Sequence, residues 1–149
     1  MRCFEDFEIG HIERFGHYEV TRDEVLAFAE AYDPQPFHLD DEAAAAHPIF
    51  DRLAASGWHT AAMAMRMTVD HGRQAGGFAL AASGLDELRW LRPVYSGDTL
   101  RVDSEVLAKS EPKSRPDVGF VKIRTTVFNQ HDEPVMSQVA NTMQPKRGA

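Results

Sequence analysis

Trp58-His59-Thr60-Ala61-Ala62-Met63-Ala64-Met65-Arg66-Met67-Thr68-Val69-Asp70-His71 is the stretch whose reading decides the architecture. Ala and Met are strong helix formers, and the run is apolar on most faces until Arg66. It therefore predicts a helix buried in the middle of other elements, ended by Gly72, Gly76 and Gly77. The sequence changes character after it. Residues 78–92, 99–109, 118–129 and 135–144 are rich in Val, Leu, Phe and Thr, and turn residues bound each of them, which predicts strands. The breaks are short: Tyr95-Ser96-Gly97-Asp98, Glu111 to Asp117, and Gln130 to Pro134. Such connections favour an antiparallel meander. One buried helix followed by long antiparallel strands implies an α+β fold with the sheet wrapped on the helix. Strands and helices do not alternate, which argues against Rossmann and barrel plans. Neither G-x-G-x-x-G nor G-x-x-x-x-G-K-[ST] occurs, so no nucleotide-phosphate loop is supported.

Upstream, an entry arm leads to a strand in which Tyr18 and Val20 share one face and Phe15, His17 and Glu19 the other. Thr21-Arg22-Asp23-Glu24 has the form of a capping box, and Val25, Leu26, Phe28, Ala29 and Tyr32 follow at helical spacing, giving a helix over 22–32. Asp33 precedes Pro34 and Gln35 precedes Pro36. A residue before proline is pushed out of the α region, so the helix stops near Tyr32 and residues 33–37 run extended or turned. Acids at Asp40, Asp41 and Glu42 suit the first turn of a short helix, and residues 47–57 form a loop.

The chain has 149 residues and a net charge of −7, from 16 Lys+Arg against 23 Asp+Glu. That length suits a single domain spanning 1–149, with 145–149 read as a frayed tail. The acidic balance argues against a nucleic-acid partner, which binds largely through Lys and Arg on phosphates. No apolar run is long enough for a membrane span, and no secretory signal is visible at the acidic N-terminus. The lone Cys3 cannot form an internal disulfide, which fits a reducing cytoplasm.

Two clusters could carry chemistry. In Asp33-Pro34-Gln35-Pro36-Phe37-His38-Leu39-Asp40, a carboxylate and an imidazole straddle two prolines that fix φ and so limit the entropy lost on ordering. Orientation fixed in advance is what a proton-transfer catalyst needs. Asp33 can serve as base and His38 as acid, the two can hold a water jointly, or they can be a helix-end carboxylate and a satisfied loop histidine. In Ala55-Ser56-Gly57-Trp58-His59-Thr60, a glycine entering a helix leaves free amides at the positive end of the dipole, where a developing oxyanion can be stabilised. The same residues also read as an N-cap and a tight turn.

These residues, with Ala43-Ala44 between the clusters and Leu91-Arg92-Pro93-Val94-Tyr95-Ser96-Gly97-Asp98-Thr99-Leu100 further on, resemble the MaoC-like dehydratases and R-specific enoyl-CoA hydratases. The similarity spans about residues 5–144. It implies the hotdog fold, a long helix wrapped by an antiparallel sheet, working as a homodimer or dimer-based oligomer. It also implies an acyl-thioester hydratase/dehydratase acting on 2-enoyl or 3-hydroxyacyl esters of coenzyme A. Asp33 and His38 match the catalytic pair, and Gly57 matches the residue whose amide polarises the thioester carbonyl. No metal and no redox cofactor is implied. The pattern departs from the family at Tyr32, Gln35 and Phe37, where hydratases carry glycine, asparagine and an aliphatic residue. Gln35, Phe37, Ser56, Trp58 and His59 are therefore the candidate substrate-binding residues, and the pocket should differ in shape.

Other readings are weaker. His47, His59 and His71 lack the spacing of a metal site, and Ser56 and Ser83 sit in no nucleophile elbow. Met63, Met65 and Met67 could shape an acyl tunnel or serve as ordinary core. Arg66, Arg73, Arg89, Arg92, Lys113 and Arg115 are candidates to meet the phosphates of coenzyme A, for which an acidic protein needs a local basic patch. Two other functions stay open. A hotdog thioesterase usually carries a carboxylate on the central helix, and residues 58–69 contain none; a non-catalytic acyl-CoA-binding protein has no need of the Asp33/His38 pair.

Overall fold

The computed structural model describes residues 1–149. A 3-10 turn at Phe4–Asp6 precedes β1 (Ile12–Glu19), α1 (Arg22–Tyr32) and the short helices α2 (Pro36–Leu39) and α3 (Asp41–Ala45). The long α4 (Gly57–Ala75) follows, then β2 (Ala81–Trp90), β3 (Thr99–Ser110), β4 (Val118–Phe128) and β5 (Pro134–Pro145). The strands form one antiparallel sheet of five in the order β1-β3-β4-β5-β2. This is the expected α+β plan. No helix is long and apolar enough to cross a membrane.

The core lies between α4 and the sheet. Met63, Ala64 and Met67 pack in one cluster with Leu100, Val102, Val127 and Met136, all nearly sealed from solvent. Each of the larger side chains contributes about 1.5–3 kcal/mol through burial. α4 is covered on one face only, however. Trp58 and Met65 on its other face are 58% and 54% exposed, so the expectation of a helix enclosed on most sides is corrected. Its end is corrected too: Gly72 is helical, and Gly76 terminates the helix in the left-handed region (φ 85°), its amide bonding back to Gly72 O.

The sequence reading placed Phe15 opposite Tyr18, yet both pack on the core. Pairing of β1 with β3 slips between them, where Gly16 adopts φ 89°. An extra residue at a bulge reverses the in–out alternation. Gly16 also permits a close approach, since a Cβ there would lie 2.5 Å from Met67 Sδ.

β3, β4 and β5 form the expected meander, but β2 does not pair with β3. It lies beside β5 at the edge of the sheet. The segment after β2 crosses the end of the sheet to reach β3. Gly97 N–H donates to Val20 O (2.7 Å), Val20 N–H donates to Asp98 O (2.9 Å), and the buried Asp98 carboxylate accepts the Tyr95 amide (2.9 Å). The Tyr95–Asp98 turn is thus a bridge between distant strands rather than a hairpin.

Two local expectations also change. Pro36, read as part of an extended segment, opens α2 instead, because its missing N–H costs nothing at a helix start. The C-terminal tail is pinned rather than frayed. Lys146 N–H donates to Asp117 O (3.0 Å), Arg147 N–H donates to Glu5 Oε2 (3.1 Å), and the Arg147 side chain pairs with Asp6.

Candidate active site

α1 delivers the first functional group. Thr21 caps its start by accepting the Glu24 amide (3.3 Å). Its last turn ends at Asp33, whose N–H still bonds Ala29 O while its φ of −147° leaves the helix. After Pro34 and Gln35, the single turn of α2 brings His38 back toward Asp33. His38 is 5% exposed, and its Nε2 lies 3.4 Å from Asp33 Oδ2.

The tautomer of His38 follows from its other nitrogen. Nδ1 is 2.8 Å from the carbonyl oxygen of Ala54, and a carbonyl only accepts, so Nδ1 carries the proton. In the neutral ring Nε2 is then a bare lone pair facing a carboxylate oxygen. In that form two acceptors face each other, an arrangement completed by a molecule that donates to both. Phe37 packs edge-on against the imidazole at 4.6 Å and also touches His47 and Phe50, so it supports His38 from behind.

Asp33 is clamped from both oxygens. The Ser56 hydroxyl donates to Oδ2 (2.7 Å) and the Gln35 amide donates to Oδ1 (2.7 Å). Burial works to raise the acid's pKa. The two hydrogen bonds, joined by the attraction of His38 when its ring carries a second proton, outweigh it and hold the carboxyl below its ordinary 3.8. Ser56 occupies the N-cap position of α4, but its side chain makes no cap bond; its hydroxyl is committed to Asp33.

With that cap absent, the first amides of α4 are unpaired. Thr60 N–H is the first to bond back, to Ser56 O (3.1 Å), and the Gly57 amide has no acceptor within the chain. Trp90 packs onto this corner. Its Nε1–H donates to Gly57 O (2.8 Å), and a Cβ on Gly57 would lie 2.5 Å from the indole. Only glycine allows that approach.

A cleft of about 410 Å³ opens where these parts meet. Asp33, Gln35, His38 and Gly57 supply its polar side, with Trp58 and Thr60 from α4. Ile49 and Phe50 of the loop before α4 form one apolar wall, and Trp90 to Val94 form the other. Trp58 and Trp90 meet edge to face at 5.1 Å.

The structure thus brings Asp33, His38, Gly57, Gln35 and Trp58 to one cleft, with Ser56 and Phe37 directly behind the Asp33–His38 pair. His59 does not line it. The ring stacks on Phe28 of α1 at 4.7 Å, 6% exposed, with Nδ1 lacking any partner. His71 bonds Glu13 (2.7 Å) at the far end of α4, and no group of three His, Cys, Asp or Glu side chains is arranged to hold a metal. Sequence reasoning missed Trp90, Ile49, Phe50 and the wall-forming role of residues 91–94. The one available signal was Trp90, a large aromatic residue two positions before Arg92-Pro93.

Comparison with known proteins bears on the family and the fold. Residues 9–127 match the MaoC like domain. The chain is 30% identical over 131 residues to the uncharacterized protein YdeM of Bacillus subtilis, covering 88% of this chain and 90% of that one. It is 45% identical over 69 residues to a mesaconyl-CoA hydratase of Cereibacter sphaeroides, covering 46% of this chain but 20% of that protein. Among solved structures, the MaoC-like dehydratase from Rhodospirillum rubrum superposes with a TM-score of 0.88 at 37% identity, covering 100% of both chains. An R-hydratase from Pseudomonas aeruginosa superposes at 0.73 with 28% identity, covering 97% of this chain and 86% of that one. A Mycobacterium tuberculosis protein with a double hotdog fold shares the fold at 0.75 and 21% identity, covering 99% of this chain and 45% of that one.

Proposed function

The chain belongs to the MaoC-like domain family and has its hotdog fold, and on that premise we propose that it adds water to, or removes it from, the C2–C3 bond of an enoyl or 3-hydroxyacyl thioester of coenzyme A. The observation that carries the reading is the approach of His38 Nε2 to Asp33 Oδ2 at 3.4 Å, with Nδ1 fixed by Ala54 O, which in the neutral ring leaves two acceptors facing each other. A water seated there donates one hydrogen to each. Its oxygen is left with lone pairs free to attack C3.

In the hydration direction the thioester carbonyl accepts the free Gly57 amide at the positive end of α4. As the oxygen of water bonds to C3, electron density moves to the thioester oxygen, and a donor at a helix N-terminus stabilises that developing charge. His38 takes the proton released by the water. The resulting imidazolium is stabilised by Asp33, which stays ionised because Ser56 and Gln35 hold it so. His38 then returns the proton to C2, the enolate collapses, and both groups are restored. Dehydration is the reverse. Side chains, one amide and one water supply every step.

The cleft is open along β2 and α4. Phe78, Leu80, Leu85, Trp90 and Leu91 are each 45% exposed or more, as is Met65 of α4, and the outer edge of β2 has no strand partner. Bare apolar sheet edges invite association. A second copy of the chain packed across β2 covers this surface and closes the wall of the cleft. Thioester hydrolysis gains no such support, since Asp70, the one carboxylate of α4, is tied to Arg66 and Arg73.

The test is hydration of a panel of enoyl-CoA esters, including branched and dicarboxylic ones, by wild type, Asp33→Asn and His38→Ala. Turnover by wild type and its loss in both variants is expected. Full activity in both variants overturns the assigned roles, release of free thiol marks a thioesterase, and tight binding without turnover marks a non-catalytic binder.

A further inference from the structure

Arg92 is the one Lys or Arg among the residues that line the cleft. The other arginines first considered for anion binding are mostly engaged elsewhere. Arg66 and Arg73 both pair with Asp70 (2.8 and 3.4 Å), and Arg115 pairs with Asp117 (2.6 Å). Arg92 belongs to the wall formed by Trp90 to Val94, where its own amide and that of Leu91 donate to Val135 O (3.4 and 2.8 Å).

A bracket built into the β4–β5 turn holds its head group. The side-chain carbonyl of Asn129, buried at 8% exposure, accepts the amides of His131 and Glu133 (2.9 and 3.1 Å). Asn129 Nδ2 donates to Glu133 Oε1 (3.2 Å), and Glu133 Oε2 meets the Arg92 guanidinium at 3.1 Å. One carboxylate oxygen thus steers a group that has five N–H donors in a planar fork. No other acceptor of the chain engages it. An arginine held in an otherwise apolar wall, with most of its donors free, matches an anionic oxygen cluster in both charge and geometry.

We propose that Arg92 is a specificity-determining residue that binds an anionic group of the substrate in the cleft. The inference rests on the thioester reading and sharpens it. The anion has two possible sources, a phosphate of coenzyme A or a carboxylate at the far end of the acyl group, and both present the same oxygens to the fork.

Three saturated probes, which cannot be hydrated, separate these sources: butyryl-CoA, butyryl-N-acetylcysteamine and succinyl-N-acetylcysteamine. The first carries phosphates, the second no anion and the third only a carboxylate. Binding is read by quenching of Trp58 and Trp90, the chain's two tryptophans, both in the cleft. Arg92→Gln should weaken one anionic probe by about tenfold or more, the scale of a lost charged hydrogen bond, and leave butyryl-N-acetylcysteamine unchanged. Selective loss of butyryl-CoA assigns the phosphate, and selective loss of succinyl-N-acetylcysteamine assigns the carboxylate. Equal weakening of all three probes, or no change with either anionic probe, overturns the proposal. Because no probe can be hydrated, these outcomes stand apart from the hydration assay, whose failure would count against the catalytic reading alone.

Discussion

The arch from Asp33 to His38 and the edge strand β2 flank one cleft and are built in opposite ways. In the arch every polar group that faces the cleft is held by the same chain. Ala54 O fixes the ring of His38, Ser56 and Gln35 fix the two oxygens of Asp33, and His38 and Ser56 are 5% and 1% exposed. β2 has an outer edge without hydrogen-bonding partners and side chains such as Leu85 and Trp90 nearly half exposed. The geometry of the Asp33–His38 pair is therefore fixed within one chain, whereas the apolar wall along β2 stays open. Changes in the arch should alter chemistry with assembly intact, and changes in β2 should do the reverse.

The largest effects belong to the arch. Asp33→Asn and His38→Ala should each lower kcat by about 10²–10⁴-fold, the range for a lost general acid or base, with unchanged circular dichroism and unchanged hydrodynamic mass. A change of mass in either variant would break the division between the two regions. Leu85→Lys tests the other side by putting a charge on the bare edge. Light scattering should show a shift from dimer to monomer and steady-state kinetics a raised KM; a dimer that persists removes β2 as the interface.

Ser56→Ala has a smaller effect within the arch. Loss of the donor to Oδ2 lets the Asp33 pKa rise toward 3.8, so NMR titration of its carboxyl carbon should show a midpoint moved to higher pH. Stability shifts in the same sense. A carboxyl with a depressed folded pKa contributes stability that is complete above 3.8 and lost as pH falls through the lower folded value. Acid titration of the variant should show less of that loss.

The smallest effect lies outside both regions. Burial against Phe28 drives the His59 pKa below its ordinary 6.5, and Glu24 pulls weakly the other way. The unfolded chain therefore takes up this proton first. The contribution to stability is complete above 6.5 and declines as pH falls below it. His59→Phe keeps the stack on Phe28 and should flatten that decline in melting curves while leaving neutral turnover unchanged. An unaltered acid limb would show that His59 titrates as an ordinary histidine.

What could be read from the sequence follows the range of the interactions. α1 was legible because its signals are local: the Thr21 cap, apolar spacing, and the prolines that stop it. The pairing of Asp33 with His38 was legible for the same reason, both lying on one proline-stiffened segment. The clamp was not. Ser56 and Ala54 reach Asp33 and His38 only when the loop before α4 folds back, and nothing in their spacing marks that return. Strand order was hidden because Tyr95–Asp98 has the composition of a hairpin turn while its partner is Val20, far away in the chain. The Gly16 bulge did carry a signal, an isolated glycine within a strand. Read that way, it places Phe15 and Tyr18 on the same side.

The central claim is that one imidazole, oriented by Ala54 and backed by Asp33, accepts the water proton and returns it from the same face of the substrate. Hydration of an enoyl thioester in D2O, followed by NMR of the 3-hydroxyacyl product, tests this directly. The account predicts a single deuteron at C2 on the same side as the new C3 oxygen, a syn addition. Anti addition, or deuterium spread over both C2 positions, would contradict it.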